Sequence, residues 1–227
     1  QFEGIILEGM YTHFATADAR NKEFENLQTH RFSEMVDKVK AMGVNIEYIH
    51  CSNSAEILDC DEKYDMVRPG IIQYGIYPSN EVSYSIDIKP VMTFKAKVSN
   101  VKVLDAGTSI SYGRVYFTTV KEKIISIAAG YADGFLRGRR NPYVYINGVK
   151  CSIVGRICMD QCMVRVPMDM DVKVNDDVVI FGDDLVSVDD VARGCDTIAH
   201  EVMCMMSRRV PRVYYRHGEI VSIVDYL

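Results

Sequence analysis

A chain of 227 residues, 48% hydrophobic and 25% charged, fits one large domain or a domain plus a portion of another, with the balance of an ordinary soluble globular protein. A net charge of −5 with scattered cations argues against a nucleic-acid surface, and no window approaches the ~18 unbroken apolar residues of a membrane span. Seven cysteines without regular spacing suit a reducing cytoplasm better than a disulfide framework.

The chain begins Gln-Phe-Glu-Gly, without an initiator methionine, and runs at once into GIILEGMYTHFA. That apolar start suggests a piece of something longer. Residues 4–14 read as a strand ending in polar residues. Residues 21–42 carry Phe24, Leu27, Phe32, Met35, Val36 and Val39 at helical spacing, with Gly43 placed to stop the helix. Residues 44–50 read as a short strand, 54–58 as the start of another helix, and 66–74 as a strand interrupted by Pro69-Gly70. This alternation predicts consecutive βα units of a parallel sheet in residues 1–88.

Residues 89–227 follow another grammar. Residues 91–103 read as a long strand, and 143–146 and 149–154 flank Asn147-Gly148, the strongest short hairpin signal. A second hairpin is expected about His217-Gly218, and helical spacing returns only over 189–206. The basic run Arg137–Gly138–Arg139–Arg140 reads as a short solvated loop. The fold class expected is α/β followed by mainly β, the latter an antiparallel sheet or barrel.

Polar residues of the α/β stretch gather at predicted strand ends. His13 and the turn to Asp18 follow the first strand, His50 and Ser52-Asn53-Ser54 the second, and Arg68 and Gly70-Ile71 the third. Carboxyl ends of parallel strands are where (β/α) barrels put their chemistry. Ser54 and the backbone at Gly70 and Ile71 could face a phosphate; the plainer readings are a helix cap and a turn. Arg68 has a plain partner in Asp65, and His13 and His50 read alone as satisfied core histidines. In GTSISYGR, residues 107–114, Tyr112 has neither strand alternation nor apolar neighbours. Cys158, Cys162 and Cys151 are read as buried thiols rather than a zinc site, with CMDQC in a strand; no metal is expected.

The segments EGMYTHFATAD, HCSNSA, YDMVRPGIIQYGIYPS, SISYGR, GYADGFLR, VGRICMDQCMV and RVPRVYYR occur in this order. They resemble the successive motifs of bacterial alanine racemases, the fold-type III pyridoxal phosphate enzymes. The resemblance implies the last three βα units of a (β/α)8 barrel in residues 1–88 and the family's C-terminal antiparallel β domain in 89–227. It implies pyridoxal 5'-phosphate as cofactor, held in that family by a lysine in a KANAYGHG-like motif. No such motif is found here. Lys22, Lys38, Lys63 and Lys121 fall in helices, hydrophilic strands or loops, so this stretch alone is expected to be inactive.

By the same resemblance, L- and D-alanine are interconverted by two bases on opposite faces, Tyr112 serving one face and the lysine the other. A free tyrosine ionises near pH ~10, so it needs cationic neighbours to act as a base. The family arranges counterparts of His13, His50 and Arg68 around this tyrosine and the cofactor, with Arg68 beside the pyridine nitrogen. Ser54, Gly70 and Ile71 match phosphate-binding positions. Met159 offers a backbone N–H to the substrate carboxylate while Asp160 holds the turn. Tyr131, Arg137, Arg156 and Asp18 match the substrate entrance. Tyr112 and Met159 act in trans in this family, implying a head-to-tail homodimer with a shared active site and D-alanine supply to peptidoglycan. Arg208 departs from the family's phosphate-binding tyrosine and leaves alanine and serine open as substrates. Two further readings stand: a serine/alanine racemase domain of a glycopeptide-resistance membrane protein, and a non-enzymatic dimerisation or regulatory module.

Overall fold

Apolar side chains are hidden in two different ways on either side of residue 91. The computed structural model describes residues 4–60, 64–83, 86–182 and 184–226, and the chain divides into the units Gln1–Val91 and Met92–Leu227. Lys63 lies outside the described residues.

In the first unit, β1 (Gly9–Tyr11) leads to α1 (Glu23–Ala41), β2 (Tyr48–His50) and α2 (Ser54–Asp59). β1 and β2 pair in parallel, Gly9 opposite Tyr48 and Tyr11 opposite His50. Glu23 and Glu25 in the first turn of α1, with Lys38 and Lys40 in its last, complement the helix dipole. Phe32 and Val36 of α1 pack with Phe14, Ile49, Cys51, Ala55 and Leu58 into one apolar cluster. Asn53 caps α2, its side chain accepting from the Ala55 and Glu56 amides at 3.1 and 3.2 Å, so the cap expected of Ser54 belongs to its neighbour.

Two predicted strands are shorter than expected. The first is limited to three residues by its three-residue partner, and Ile5, Ile6 and Leu7 before it are exposed. The third survives as one parallel bridge between His50 and Met66. Pro69, with no N–H for a ladder, then leads into a 3-10 turn over Ile71–Tyr74.

The second unit contains β3 (Phe94–Leu104), β4 (Ser109–Ile110), β5 (Tyr116–Phe117), β6 (Glu122–Ile127), β7 (Tyr143–Ile146), β8 (Val149–Val154), β9 (Cys162–Val166), β10 (Asp177–Phe181), α3 (Val188–Cys195), α4 (Ala199–Cys204), β11 (Arg212–Arg216) and β12 (Glu219–Val224). Six strands close a barrel in the order β10-β3-β6-β9-β8-β7, antiparallel throughout. Strand alternation points one residue in two inward. Ile125 faces Val164, Ile127 faces Cys162 and Val144 faces Cys151, and all six are almost fully buried. Each large aliphatic side chain so enclosed contributes roughly 1.5–3 kcal/mol.

The β7–β8 hairpin turns on Asn147 and Gly148, both at positive φ, as a type I′ turn requires. β11 and β12 form the second expected hairpin. The helical stretch 189–206 divides in two at Asp196, which takes φ 58° and ends α3. The basic run is not wholly a solvated loop: Arg139 is buried, donating to the Tyr143 carbonyl at 3.2 Å with its guanidinium over the Tyr143 ring. Among the described residues, no helix is long and apolar enough to cross a membrane.

Candidate functional site

Arg68 gathers the polar strand ends of the first unit. Its guanidinium meets His50 Nδ1 at 2.5 Å and His13 Nδ1 at 3.1 Å, and donates to the Thr12 and Cys51 carbonyls, each at 3.1 Å. It also lies over the Tyr11 ring, which stacks on His50. A guanidinium has only donors, so both histidines accept through Nδ1, which assigns the neutral form with its proton on Nε2. Removal from water, then the adjacent Arg68 charge, holds the His50 pKa below its ordinary value. Asp65 instead accepts from the Ile49 amide at 2.8 Å, and Arg68 is absent from the ion pairs found among the described residues. The plain reading of Arg68 as an Asp65 salt bridge is therefore replaced by this hub.

Beside it, the buried Ser54 hydroxyl accepts from the Gly70 amide at 2.9 Å, leaving its proton to donate. A Cβ on Gly70 would come within 3.4 Å of that oxygen. Ile71 opens the 3-10 turn, whose first amides have no acceptor within the turn. The Asp18 main-chain carbonyl accepts from the Ser79 hydroxyl.

In the second unit, a strained turn presents Tyr112. Ser111 has φ 67° and ψ 176°, a region otherwise left almost entirely to glycine, and Gly113 and Arg114 also take positive φ. The Ser111 hydroxyl donates to the Arg156 carbonyl at 2.7 Å and lies 3.7 Å from Cys158 Sγ. Tyr112 is 72% exposed. Tyr112, Tyr131, Arg137, Ile157 and Cys158 line a hollow of about 460 Å3. The Arg156 guanidinium passes so close to Gly113 that a Cβ there would meet it at 3.3 Å.

The GYADG and GRICMDQ segments are tied backbone to backbone. The Tyr131 amide donates to the Cys158 carbonyl and the Ala132 amide to the Met159 carbonyl, both at 3.0 Å. Gly130 makes this approach possible, since a Cβ there would lie 2.2 Å from the Met159 oxygen. Asp133 accepts from the Gly130 amide and pairs with Arg209 at 3.0 Å, and Arg209 reaches Asp160 at 2.7 Å. Asp160 thus braces the turn that carries the exposed Met159. CMDQ is a turn rather than a strand, with the Cys158 amide donating to the Gln161 carbonyl at 2.9 Å. Cys162 alone of that pair enters the barrel interior. Arg208 lies over the Tyr226 ring.

Sequence reasoning missed Ser111, Asp133 and Arg209. Asp133 carried a faint signal, an acidic residue three positions after Gly130 at the start of a turn. Nothing in the spacing marks Ser111 as strained or joins Arg209 to Asp133.

Residues 91–214 match the family described as "Alanine racemase, C-terminal domain" and residues 1–78 that described as "Alanine racemase, N-terminal domain". Alanine racemase 2 of Caldanaerobacter subterraneus subsp. tengcongensis is 45% identical over 232 residues, covering 100% of this chain and 60% of its own length. The alanine racemase of Clostridium novyi is 44% identical over 98% of this chain and 59% of its own. The chain therefore spans about 60% of the length of these curated relatives. Among solved structures, the alanine racemase of Clostridium difficile in complex with cycloserine superposes with a TM-score of 0.96 at 48% identity, over 99% of this chain and 60% of that one. The Bacillus anthracis alanine racemase with bound L-Ala-P gives 0.91 at 36% identity, over 96% and 58%.

Proposed function

This chain belongs to the alanine racemase family, and we propose that its residues serve the interconversion of L- and D-alanine by two-base proton transfer. Residues 1–88 would be the last three βα units of a (β/α)8 barrel, and 89–227 the β domain that follows. Pyridoxal 5'-phosphate, the cofactor of this family, would supply an electron sink for the charge left when the α-proton departs.

The residues present fit that group. Arg68 has guanidinium donors for a ring nitrogen, and because it stays charged it gives up no proton. A nitrogen facing it remains an acceptor. The Ser54 hydroxyl, left free to donate because the Gly70 amide donates to it, suits a phosphate together with the Ile71 N–H. His50 and His13, both accepting from Arg68, hold the guanidinium's orientation. Tyr112 would move the proton on one face, with its phenol held in place by the Ser111 turn. The Met159 N–H would orient the substrate carboxylate, and Tyr131, Arg137, Arg156 and Asp18 would admit a small amino acid. In this reading two chains associate head to tail, each lending Tyr112 and Met159 to the other, in the cytoplasm, where D-alanine supplies peptidoglycan.

The observation that carries this reading is an exposed phenol held out by a backbone conformation that costs about 1–3 kcal/mol. Strain of that size persists where neighbouring structure enforces it, commonly at working sites. The test is alanine racemisation by the protein as its gene encodes it, with and without Tyr112→Phe. Loss of a positioned proton carrier is expected to slow turnover by roughly 10²–10⁴-fold. Undiminished racemisation by the phenylalanine variant refutes the assignment.

A further inference from the structure

A second hollow on the barrel carries charge that the proposed reaction does not use. It has a volume of about 390 Å3, and its lining includes Lys121, Lys123, Lys150, Arg165, Ser152 and Glu122. The barrel register assembles it: Ser152 of β8 sits opposite Arg165 of β9, and Lys123 of β6 opposite Val166. Three of the cations are steadied by neutral groups. Lys123 Nζ donates to the Met170 carbonyl at 2.9 Å, Lys150 Nζ lies 3.7 Å from the Tyr143 ring centroid, and Arg165 donates to the Tyr116 hydroxyl at 3.4 Å.

None of the four cations takes part in the ion pairs found among the described residues. Glu122, the one acidic residue in the lining, is buried. Its carboxylate accepts from the Tyr116 hydroxyl at 2.6 Å and the Thr119 amide at 3.3 Å. Elsewhere in this acidic chain, Lys95 and Lys97 share Asp177, and Arg209 bridges Asp133 and Asp160. The hollow thus gathers four cations around one carboxylate whose oxygens are already engaged.

Strand direction separates it from the Tyr112 hollow. β6 starts at Glu122 and delivers Tyr131, β8 starts at Val149 and delivers Arg156, and β9 begins just after Met159 and ends at Val166. The basic hollow therefore sits at the opposite end of the same three strands, about 15–20 Å away at ~3.3 Å per residue.

We propose that this hollow binds a small phosphate-bearing anion. Lysine ammoniums supply point charges, the Arg165 fork matches two phosphoryl oxygens, and Ser152 adds a hydroxyl donor. The volume suits a small phosphorylated metabolite as well as free phosphate. The site is independent of the racemase reading.

The test titrates the full chain at low ionic strength with inorganic phosphate, pyrophosphate and ribose 5-phosphate, following backbone amide shifts. Saturable shifts confined to residues 119–123, 150–152 and 165–168 are expected. Pyrophosphate affinity should fall at least tenfold in Lys150→Gln/Arg165→Gln and stay unchanged in Lys38→Gln/Lys40→Gln, which removes equal charge from the last turn of α1. Matching thermal unfolding would show that both variants fold. Tighter binding of ribose 5-phosphate assigns an organic phosphate, and tighter binding of phosphate or pyrophosphate assigns the inorganic ion. Shifts spread over the surface, equal weakening in both double variants, or no saturation at millimolar anion overturns the proposal.

Discussion

Replacing Ser111 by glycine and by alanine separates the strain of the Tyr112 turn from the hydrogen bond that closes it. At φ 67° and ψ 176°, a side chain at this position costs about 1–3 kcal/mol relative to glycine. The hydroxyl's bond to the Arg156 carbonyl returns a net ~1 kcal/mol. Both substitutions delete that bond, so its loss cancels in the comparison. What remains is the relief of strain in the glycine variant, offset by about 0.4–1 kcal/mol for the greater freedom glycine gives the unfolded chain. Ser111→Gly should therefore be more stable than Ser111→Ala by roughly 1 kcal/mol, with the alanine variant below wild type. Urea unfolding of the three proteins, compared by midpoint at constant slope, measures this directly. An alanine variant as stable as the glycine variant, or more so, would show that the turn stores no strain and would remove the argument that Tyr112 is held out by force.

Three further outcomes are expected. In Arg68→Gln, the adjacent positive charge that helps depress His50 is gone while its desolvation persists, so the His50 pKa should rise; an NMR titration showing no rise contradicts the hub. Gly130→Ala places a Cβ 2.2 Å from the Met159 oxygen and must break the pair of backbone hydrogen bonds there, costing about 1–3 kcal/mol in urea unfolding; a silent substitution would mean the two turns are not locked together. Burial, then the hydrogen-bonded Glu25, raises the buried Glu56 from 4.5 to about 7. A raised acid favours its protonated form in the fold, so that contribution is present below about pH 4.5 and lost as pH rises through 7. Glu56→Gln, which mimics the protonated form, should raise the urea midpoint at about pH 8 and leave it little changed at about pH 4; the same loss at both would refute the assignment.

The hairpins about Asn147-Gly148 and His217-Gly218 were legible because positive φ at both turn positions is a demand few residues meet, and the sequence displays it locally. The helix around Phe32 and Val36 was legible from spacing alone. β6, β9 and β10 were not singled out, because a barrel strand is specified by partners distant in sequence: Cys162–Val166 becomes a strand where β6 and β8 take up its hydrogen bonds. The expected strand over 66–74 failed for the converse reason, with Met66 paired and Pro69 offering no donor. Arg139, read as solvated, is buried because the face of Tyr143 accepts its charge, a pairing no local pattern announces.

Sequence by itself determined which chemistry-bearing side chains exist, their order along the chain and the family whose motifs they reproduce. His13, His50, Ser54, Arg68, Gly70, Tyr112 and Met159 could all be named before any coordinate was known, because motif identity is written in adjacent residues. Only the tertiary structure decided that Arg68 turns to two histidines instead of Asp65, that Ser111 strains to present Tyr112, and that Gly130 lets two motifs share backbone hydrogen bonds. It also decided that one cation from each of three strands, and Lys121 just before β6, meet around one hollow. Such contacts depend on strand register and on which polar group is buried beside which, and both are settled only when the chain closes on itself.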